Sequence, residues 1–313
     1  MILVTGCSGF VGKALTETLL NASYQVRGIA RSVHNQIAHP NFQLSEIEDF
    51  SADLDWTQRL QEITTVVHTI ARVHVMDEKE QDPLAAFRKV NVDATLNLAK
   101  QAAEQGIKRF VFISSIKVNG ESTIENRPFR ETDSIIPQDP YGLSKYEAEQ
   151  GLLEIAETTK MEVVIIRPPL IYGPGVKANF AAMMKWLKKG VPLPLGAITN
   201  KRSLVALTNL VDFIKHCIEH SKAANEIFLI SDDKPVSTTE LCQKIAKAYE
   251  VKAFLIPVPV KIMRAMANTL GKQAVINRLV GSLEVDISKA KQRLGWQPVI
   301  TIDQQLKEMV KDH

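Results

Sequence analysis

The sequence has only three cysteines, Cys7, Cys217 and Cys242, scattered through 313 residues. Their odd number and wide spacing exclude a disulfide framework and a cysteine metal site, so no metal is expected. Such sparse use suits a reducing cytosol, and a cytoplasmic protein is expected. The formal net charge is only +3, and no arginine-lysine run with interleaved aromatics occurs, which argues against a nucleic-acid partner. No long apolar run is present either. The most apolar late stretch, 254–270, is broken by prolines, Lys261 and Arg264, so no membrane span is expected. It reads as a helix of the C-terminal part, and loose association with a membrane-bound partner stays open. The chain enters an apolar run at Ile2, so no signal peptide is expected. Internal repeats and low-complexity tracts are absent. An apolar share of 45% with 23% charged residues is that of a globular protein, long enough for one main domain and a smaller lobe.

Against these absences stands a glycine-rich stretch, Thr5-Gly6-Cys7-Ser8-Gly9-Phe10-Val11-Gly12, directly after the run Ile2-Leu3-Val4. The apolar run fits a buried parallel strand, and 14–20 has helical character, so the glycines occupy a strand-to-helix turn. There they permit a tight backbone and let a pyrophosphate approach the amides of a helix N-terminus. Gly6, Ser8, Gly9, Phe10, Val11 and Gly12 are therefore candidate cofactor residues. Cys7 reads as a small filler. A second strand, 25–30, is followed by Arg31-Ser32 and by no acid. A guanidinium and a hydroxyl suit the 2′-phosphate of NADP, where NAD sites usually place a carboxylate, so NADP is the expected cofactor and NAD the alternative. Glu46-Ile47, after a third strand at 42–45, is a candidate for the adenine edge.

A fourth buried strand runs over 65–71 and ends in a small-residue loop at Ala71. His68 inside it reads as a hydrogen-bonded core residue without a catalytic role. Residues 84–104 are helical in pattern, and Asn91 is expected to tie that helix to the neighbouring strand. The fifth strand, 110–113, ends in Ser114-Ser115, hydroxyls that face the crevice of an open α/β sheet. Tyr141 and Lys145 are four residues apart, hence on one helical face. The phenol is a candidate proton donor and acceptor beside a nicotinamide, with redox chemistry at an oxygen-bearing carbon.

Together, Thr-Gly-x-x-Gly-x-x-Gly at the N-terminus, Ser114-Ser115 and Tyr141-x-x-x-Lys145 resemble an extended short-chain dehydrogenase/reductase. Arg167-Pro168-Pro169-Leu170-Ile171-Tyr172-Gly173-Pro174-Gly175 and the ending Leu294-Gly295-Trp296-Gln297-Pro298 are similar to its nucleotide-sugar branch. More narrowly, the chain resembles UDP-glucose 4-epimerase-like proteins and the 4-ketoreductases that form UDP-N-acetylquinovosamine in polysaccharide pathways. The resemblance implies a Rossmann doubly wound parallel sheet over 1–168 with a return segment near 203–232. A smaller substrate lobe would comprise 169–202 and 233–313. It implies Tyr141 as general acid and base, Lys145 lowering the phenol's pKa and holding the nicotinamide ribose, and Ser115 steadying the reacting oxygen. Ala71, Asn91 and Pro168 would join the cofactor site. Asn179, Arg202 and Asp286 would hold the sugar nucleotide, with Arg202 the strongest of the three. The family's paired helices imply a homodimer.

Three departures from the epimerase pattern stand out. Asn119 replaces a tyrosine; Leu283 replaces a diphosphate-clamping arginine, leaving Arg278 or Lys272 to substitute; Ile116-Lys117 replaces the Asp-Glu pair of dehydratases. The last loss argues against dehydration, which needs both an acid and a base. The expectation is an NADPH-dependent reductase of a UDP-linked 4-keto-6-deoxy-hexose. The alternatives are an NAD-dependent UDP-hexose 4-epimerase and, in another class, a non-catalytic NADP sensor.

Overall fold

Apolar side chains alternate between two cores along every central strand, and that alternation explains why the strands read as unbroken hydrophobic runs. On β1 (Ile2–Thr5), Ile2 and Val4 face one layer while Leu3 faces the other. The computed structural model describes residues 1–31, 37–73, 82–133, 135–269, 271 and 273–311. After β1 come α1 (Phe10–Asn21), β2 (Val26–Ala30), β3 (Phe42–Glu46) and β4 (Thr65–His68). Then follow α2 (Pro83–Arg88), a π-helical turn (Lys89–Asp93), α3 (Ala94–Glu104) and β5 (Arg109–Ile113). A 3-10 turn (Ile116–Val118), α4 (Pro140–Thr158) and β6 (Glu162–Arg167) complete this half.

β7 (Leu170–Tyr172) and β8 (Leu204–Ala206) pair with each other, separated in sequence by α5 (Ala178–Lys188). α6 (Leu207–Glu219) and β9 (Glu226–Leu229) return the chain to the main sheet. The remainder is helical: α7 (Thr238–Ala248), α8 (Val260–Thr269), α9 (Gln273–Val280), α10 (Ser288–Leu294) and α11 (Ile302–Lys311). Among the described residues the main sheet has seven strands, all parallel, in the order β3-β2-β1-β4-β5-β6-β9. The chain reverses its direction of winding between β1 and β4, and the crevice outside their carboxyl ends is where such sheets bind ligands. This is the doubly wound Rossmann arrangement that the sequence implies.

On β5, Phe110 and Phe112 enter the core shared with α3 and α4, whereas Val111 and Ile113 enter the one shared with α1 and α6. A third core gathers Tyr172, Phe180, Met184, Leu241 and Leu306 from the C-terminal helices and the β7–β8 pair. The terminal Leu294-Gly295-Trp296 motif has a clear structural purpose. Gly295 ends α10 in the left-handed region (φ 66°), which lets Trp296 turn back onto Phe213 of α6, ring centroids 4.9 Å apart. The indole Nε1 then donates to Asp212 at 2.8 Å.

Besides β4, which ends at His68 where the sequence pattern runs to 71, two elements differ from expectation. The helix expected over 84–104 is interrupted by the π-helical turn, because Asn91 is drawn inward to hydrogen-bond partners on two other elements. The apolar stretch 254–270 is helical only from Val260, since its earlier residues are extended and pair with 193–196.

Gly12 carries the tightest packing demand at the head of α1. A Cβ there would lie 2.1 Å from the Gly6 carbonyl oxygen and 2.7 Å from its carbon. Gly12→Ala should therefore push α1 away from the turn and lower stability by about 1–3 kcal/mol. A thermal midpoint equal to that of the parent protein would overturn this account.

Candidate active site

The turn after β1 is shaped for close approach. Gly6 takes φ +71°, its amide donates to the Ile29 carbonyl at 2.8 Å, and the Gly9 amide returns to the Gly6 carbonyl at 2.8 Å. Gly9 then caps α1 in an extended conformation with no side-chain acceptor, and the first turn of α1 has no acidic residue. The first amides of α1 are thus left for an external anion, and the macrodipole favours one there. The turn borders a cleft of about 1030 Å³ whose walls include Gly6, Ser8, Gly9, Arg31, Ile47 and Ala71. Dinucleotide binding fits this cradle of free amides and glycine clearance.

Other expected cofactor residues stand nearby in different ways. Phe10, Val11 and Gly12 form the first turn of α1. Arg31 is exposed at the end of β2, and Ser32 lies outside the described residues. Glu46 is exposed at the end of β3, while the carboxylates bordering the cleft are Asp49 and Asp82. Asn91 is buried in the π-helical turn. Its Oδ1 accepts from the Arg72 amide at 2.8 Å, and its Nδ2 donates to the Arg72 carbonyl and to Ser144 Oγ, each at 3.0 Å. It thereby links the loop after β4 to α4. The Pro168 carbonyl accepts from Ile116 at 3.0 Å and fixes the 3-10 turn beyond Ser115. Thr69 and Lys89 also border the cleft. Only the folded chain reveals Lys89, because the π-helical turn sets the direction in which it faces.

α4 begins at Pro140, with Asp139 as N-cap accepting from the Gly142 amide at 3.0 Å. This cap places Tyr141 in the first turn, half-buried, with its ring edge-on to Phe87 at 5.9 Å. Ser115, just past the carboxyl end of β5, accepts from the Lys117 amide at 3.3 Å and stands close enough to the Tyr141 phenol to act on its acidity. Burial pushes the phenol up to about 12, the Ser115 hydroxyl pulls it back, and the Asp139 charge raises it further. Lys145 is fully buried one turn along, its ammonium 4.1 Å from the centroid of Phe112. Burial lowers it to about 7, and the Glu149 carboxylate opposes that fall. The sequence reading has Lys145 depressing the phenol. Here burial is the largest cause for both groups, raising the phenol and lowering the amine, since each charged form loses hydration.

His68 is a core residue, as its surroundings in sequence imply. Nδ1 lies 2.7 Å from Thr5 Oγ1 and Nε2 lies 3.0 Å from Thr95 Oγ1, and the ring stacks on Phe112. Burial, then the Lys145 charge, holds its pKa well below the ordinary value, so it stays neutral.

Beneath these groups lies a polar network that the motifs do not announce. Glu149, fully buried, accepts Arg167 Nη2 at 2.5 Å and Arg167 Nε at 3.0 Å, and it also receives the Ser114 hydroxyl. Arg167 Nη1 donates to Asn119 Oδ1 at 3.1 Å, and Asn119 Nδ2 donates to the Arg130 carbonyl at 2.8 Å. Asn119 thus uses an amide to satisfy a buried guanidinium, a purpose no tyrosine could fill in the same way. Lys117 pairs with Asp139 at 3.1 Å and with Glu121 at 2.9 Å, which fastens the 3-10 turn to the cap of α4.

The expected substrate residues are more dispersed. Asn179 is exposed in the first turn of α5. Arg202 Nη1 donates to the Arg278 and Gly281 carbonyls at 3.0 and 3.2 Å, and burial lowers its pKa. Leu283 is buried and bridges to Arg202 through the backbone, which is incompatible with a ligand-facing role for it. Arg278 is exposed on α9, and Lys272 lies outside the described residues. Asp286 borders a separate groove with Arg130 and Lys289, and Arg130 Nε donates to it at 3.2 Å. The structure gathers Tyr141, Ser115 and Lys145, whereas Asp286 is engaged by Arg130.

Glu149→Ala would strand the Arg167 guanidinium in the core and should cost about 3–5 kcal/mol, read from the denaturant midpoint. Glu149→Leu with Arg167→Met should recover most of that loss. A single variant as stable as the parent would show the pair to be dispensable.

Comparison with known proteins matches the NAD dependent epimerase/dehydratase family model over residues 2–231. The chain is 48% identical to a Vibrio cholerae UDP-glucose 4-epimerase over 309 residues, covering 98% of this chain and 93% of that protein. A Bacillus cereus UDP-glucuronic acid 4-epimerase solved with NAD superposes with a TM-score of 0.79 at 21% identity, covering 99% and 98% of the two chains. A Thermotoga maritima UDP-glucose 4-epimerase solved with UDP-glucose gives 0.77 at 23% identity, covering 99% and 97%. By its glycine turn, its clustered Tyr141, Lys145 and Ser115, and these likenesses, the chain belongs to the NAD dependent epimerase/dehydratase family and is an NAD(P)-dependent enzyme.

Proposed function

We propose that the protein is a 4-epimerase of UDP-hexoses that works with tightly held NAD. The observation carrying this reading is the gathering of Ser115, just past the carboxyl end of β5, with Tyr141 in the first turn of α4 and buried Lys145 one helical turn beyond. The likeness to the Vibrio UDP-glucose 4-epimerase along nearly the whole chain supports epimerisation over net reduction. Bound NAD would supply a hydride acceptor, and afterwards a donor, for C4 of the sugar. Tyr141 Oη takes the proton of the 4-hydroxyl and later returns it to the ketone oxygen. Ser115 Oγ donates a hydrogen bond to that same oxygen and holds it as its charge changes. Lys145 in its ammonium form favours the phenolate and hydrogen-bonds the nicotinamide ribose.

In this reading the amides from Gly6 to Gly12 hold the pyrophosphate, while Ile47, Ala71, Asn91 and Pro168 shape the walls. Asn179, Arg202 and Asp286 serve the UDP moiety, which requires Asp286 to exchange its Arg130 partner on binding. The division at 168 into a cofactor domain and a substrate lobe, with 203–232 returning to the first, belongs to the same reading. So does a homodimer through α3 and α4, which lie side by side with Leu96 packed against Gly151.

One observation favours a second reading. Arg31 follows β2 where no carboxylate stands, and its guanidinium suits the 2′-phosphate of NADP and thus a 4-ketoreductase that exchanges NADPH each turnover. The deciding assay gives NAD and UDP-glucose to nucleotide-stripped protein and follows UDP-galactose. The expected outcome is interconversion, lowered about 100-fold or more in Tyr141→Phe and unaffected by Arg31→Ala. No interconversion, together with oxidation of NADPH by a UDP-4-keto-6-deoxy sugar that weakens in Arg31→Ala, would hand the site to the reductase.

Lys145 yields a prediction of opposite signs. An amine lowered to about 7 from its ordinary 10.5 leaves the folded state poorer in protons than the unfolded chain between those values. Stability contributed by this group therefore rises with pH across that window, and the buried ammonium is a burden below it. Lys145→Met should raise the thermal midpoint near pH 6 and narrow its advantage by pH 10, while abolishing turnover. A lower midpoint at pH 6 would show that the amine stabilises the fold.

A further inference from the structure

Two stretches of the chain contain no carboxylate at all: Val163 to Val211, and Val251 to Leu283. Every formal charge in them is Lys or Arg. The fold brings parts of both to one surface remote from the glycine turn in sequence. Leu193 N donates to the Phe254 carbonyl at 2.9 Å and Ile256 N to the Leu193 carbonyl at 2.8 Å, joining the segment before α8 to the one after α5. With the two-residue period of an extended chain, Leu255 packs on the third core while Phe254 and Ile256 face outward.

Neighbouring elements extend this band. Val191 N donates to the Trp186 carbonyl at 3.1 Å at the end of α5, and the intervening Gly190 lies against the Phe254 ring. On α8, Ile262 and Met266 stand one turn apart on the outer face, while Met263 and Ala267 are buried. These six apolar side chains, Trp186, Val191, Phe254, Ile256, Ile262 and Met266, are 39–57% exposed. Exposed cations stand among them: Lys185, Lys189, Lys252, Lys261 and Arg264. The Lys252 ammonium lies 5.7 Å from the centroid of the Phe254 ring.

We propose that this band docks the enzyme on an anionic lipid bilayer. Trp186, Phe254, Ile256, Ile262 and Met266 enter the headgroup region, and the surrounding Lys and Arg side chains meet lipid phosphates. Apolar tips flanked by cations are the pattern of interfacial helices. A second copy of this chain is disfavoured as the occupant, because the same face on both partners would oppose cation to cation. Nothing in this proposal depends on which sugar reaction the cleft performs, so either can fail alone.

Sedimentation with vesicles tests it. Pure phosphatidylcholine vesicles are compared with vesicles containing about one-quarter phosphatidylglycerol, at low and high salt. Binding should be roughly tenfold stronger to the anionic vesicles and fall as salt screens the charges. Trp186 fluorescence should shift to the blue on binding, since Trp56 and Trp296 are already buried. Lys261→Glu with Arg264→Glu should lower binding roughly tenfold, and Phe254→Ser should lower it independently. Protein left in the supernatant with anionic vesicles would overturn the proposal, as would equal binding to both compositions or no effect of charge reversal. Concentration-dependent self-association without lipid, lost in the same variants, would assign the band to a second copy and overturn it as well.

Discussion

A carboxylate with no exposure must be neutralised where it lies, and in this protein Glu149 is that carboxylate. Its partners come from three elements: Arg167 at the end of β6, Ser114 at the end of β5 and, through Arg167, Asn119 beyond the 3-10 turn. Satisfying one buried charge thus fixes the relative positions of the two strands and α4 from which the candidate reactive groups project. Ser115 follows Ser114, and Lys145 lies one turn before Glu149 on α4. Misplacing either strand end would leave a buried ion without its partner, a cost far larger than that of any single apolar contact. The arrangement therefore resists drift at the place where small displacements matter most for proton transfer.

The parallel sheet and this network divide the work. Alternating apolar side chains on β1, β5 and β6 fill two cores at once and align the carboxyl ends of the strands. The glycine turn opens there on one side, with Tyr141, Ser115 and Lys145 beside it. In the proposed site, binding and chemistry rest on different physical terms, backbone amides with glycine clearance for the first and desolvated side chains for the second. The opposed displacement of the Tyr141 and Lys145 pKa values follows from that desolvation.

The strands and the glycine turn are legible in the sequence because local pattern determines them. Runs of β-branched and aromatic residues bounded by turns have few other uses, and within one short segment Gly6 takes a positive φ and Gly12 packs on the Gly6 carbonyl. The Tyr–Lys spacing is legible for the same reason, being one turn of one helix. The Glu149–Arg167–Asn119 network is not, since its members are separated by up to 48 residues and none belongs to an obvious pattern. The engagement of Arg202 with carbonyls near α9 and of Asp286 with Arg130 also depends on long-range packing. Resemblance to a family names such positions but does not say which neighbours in the fold each engages. The sign of the Tyr141 shift was hidden too, because spacing reveals proximity to Lys145 but not how much water both groups lose.

The π-helical turn at Lys89–Asp93 has a mechanical meaning of its own. An unbroken α-helix repeats one phase along its length, so a single stripe must serve whatever the helix touches. Here the stretch has two obligations: Ala85, Ala86 and Lys89 border the cleft, whereas Leu98, Ala99 and Ala102 fill the core. The wide turn inserts a slip of about 100° between the two, the angular step of one residue. It acts as a coupling between misaligned shafts, letting each half of the helix keep the orientation its own neighbours require, with Asn91 as the key that locks the angle.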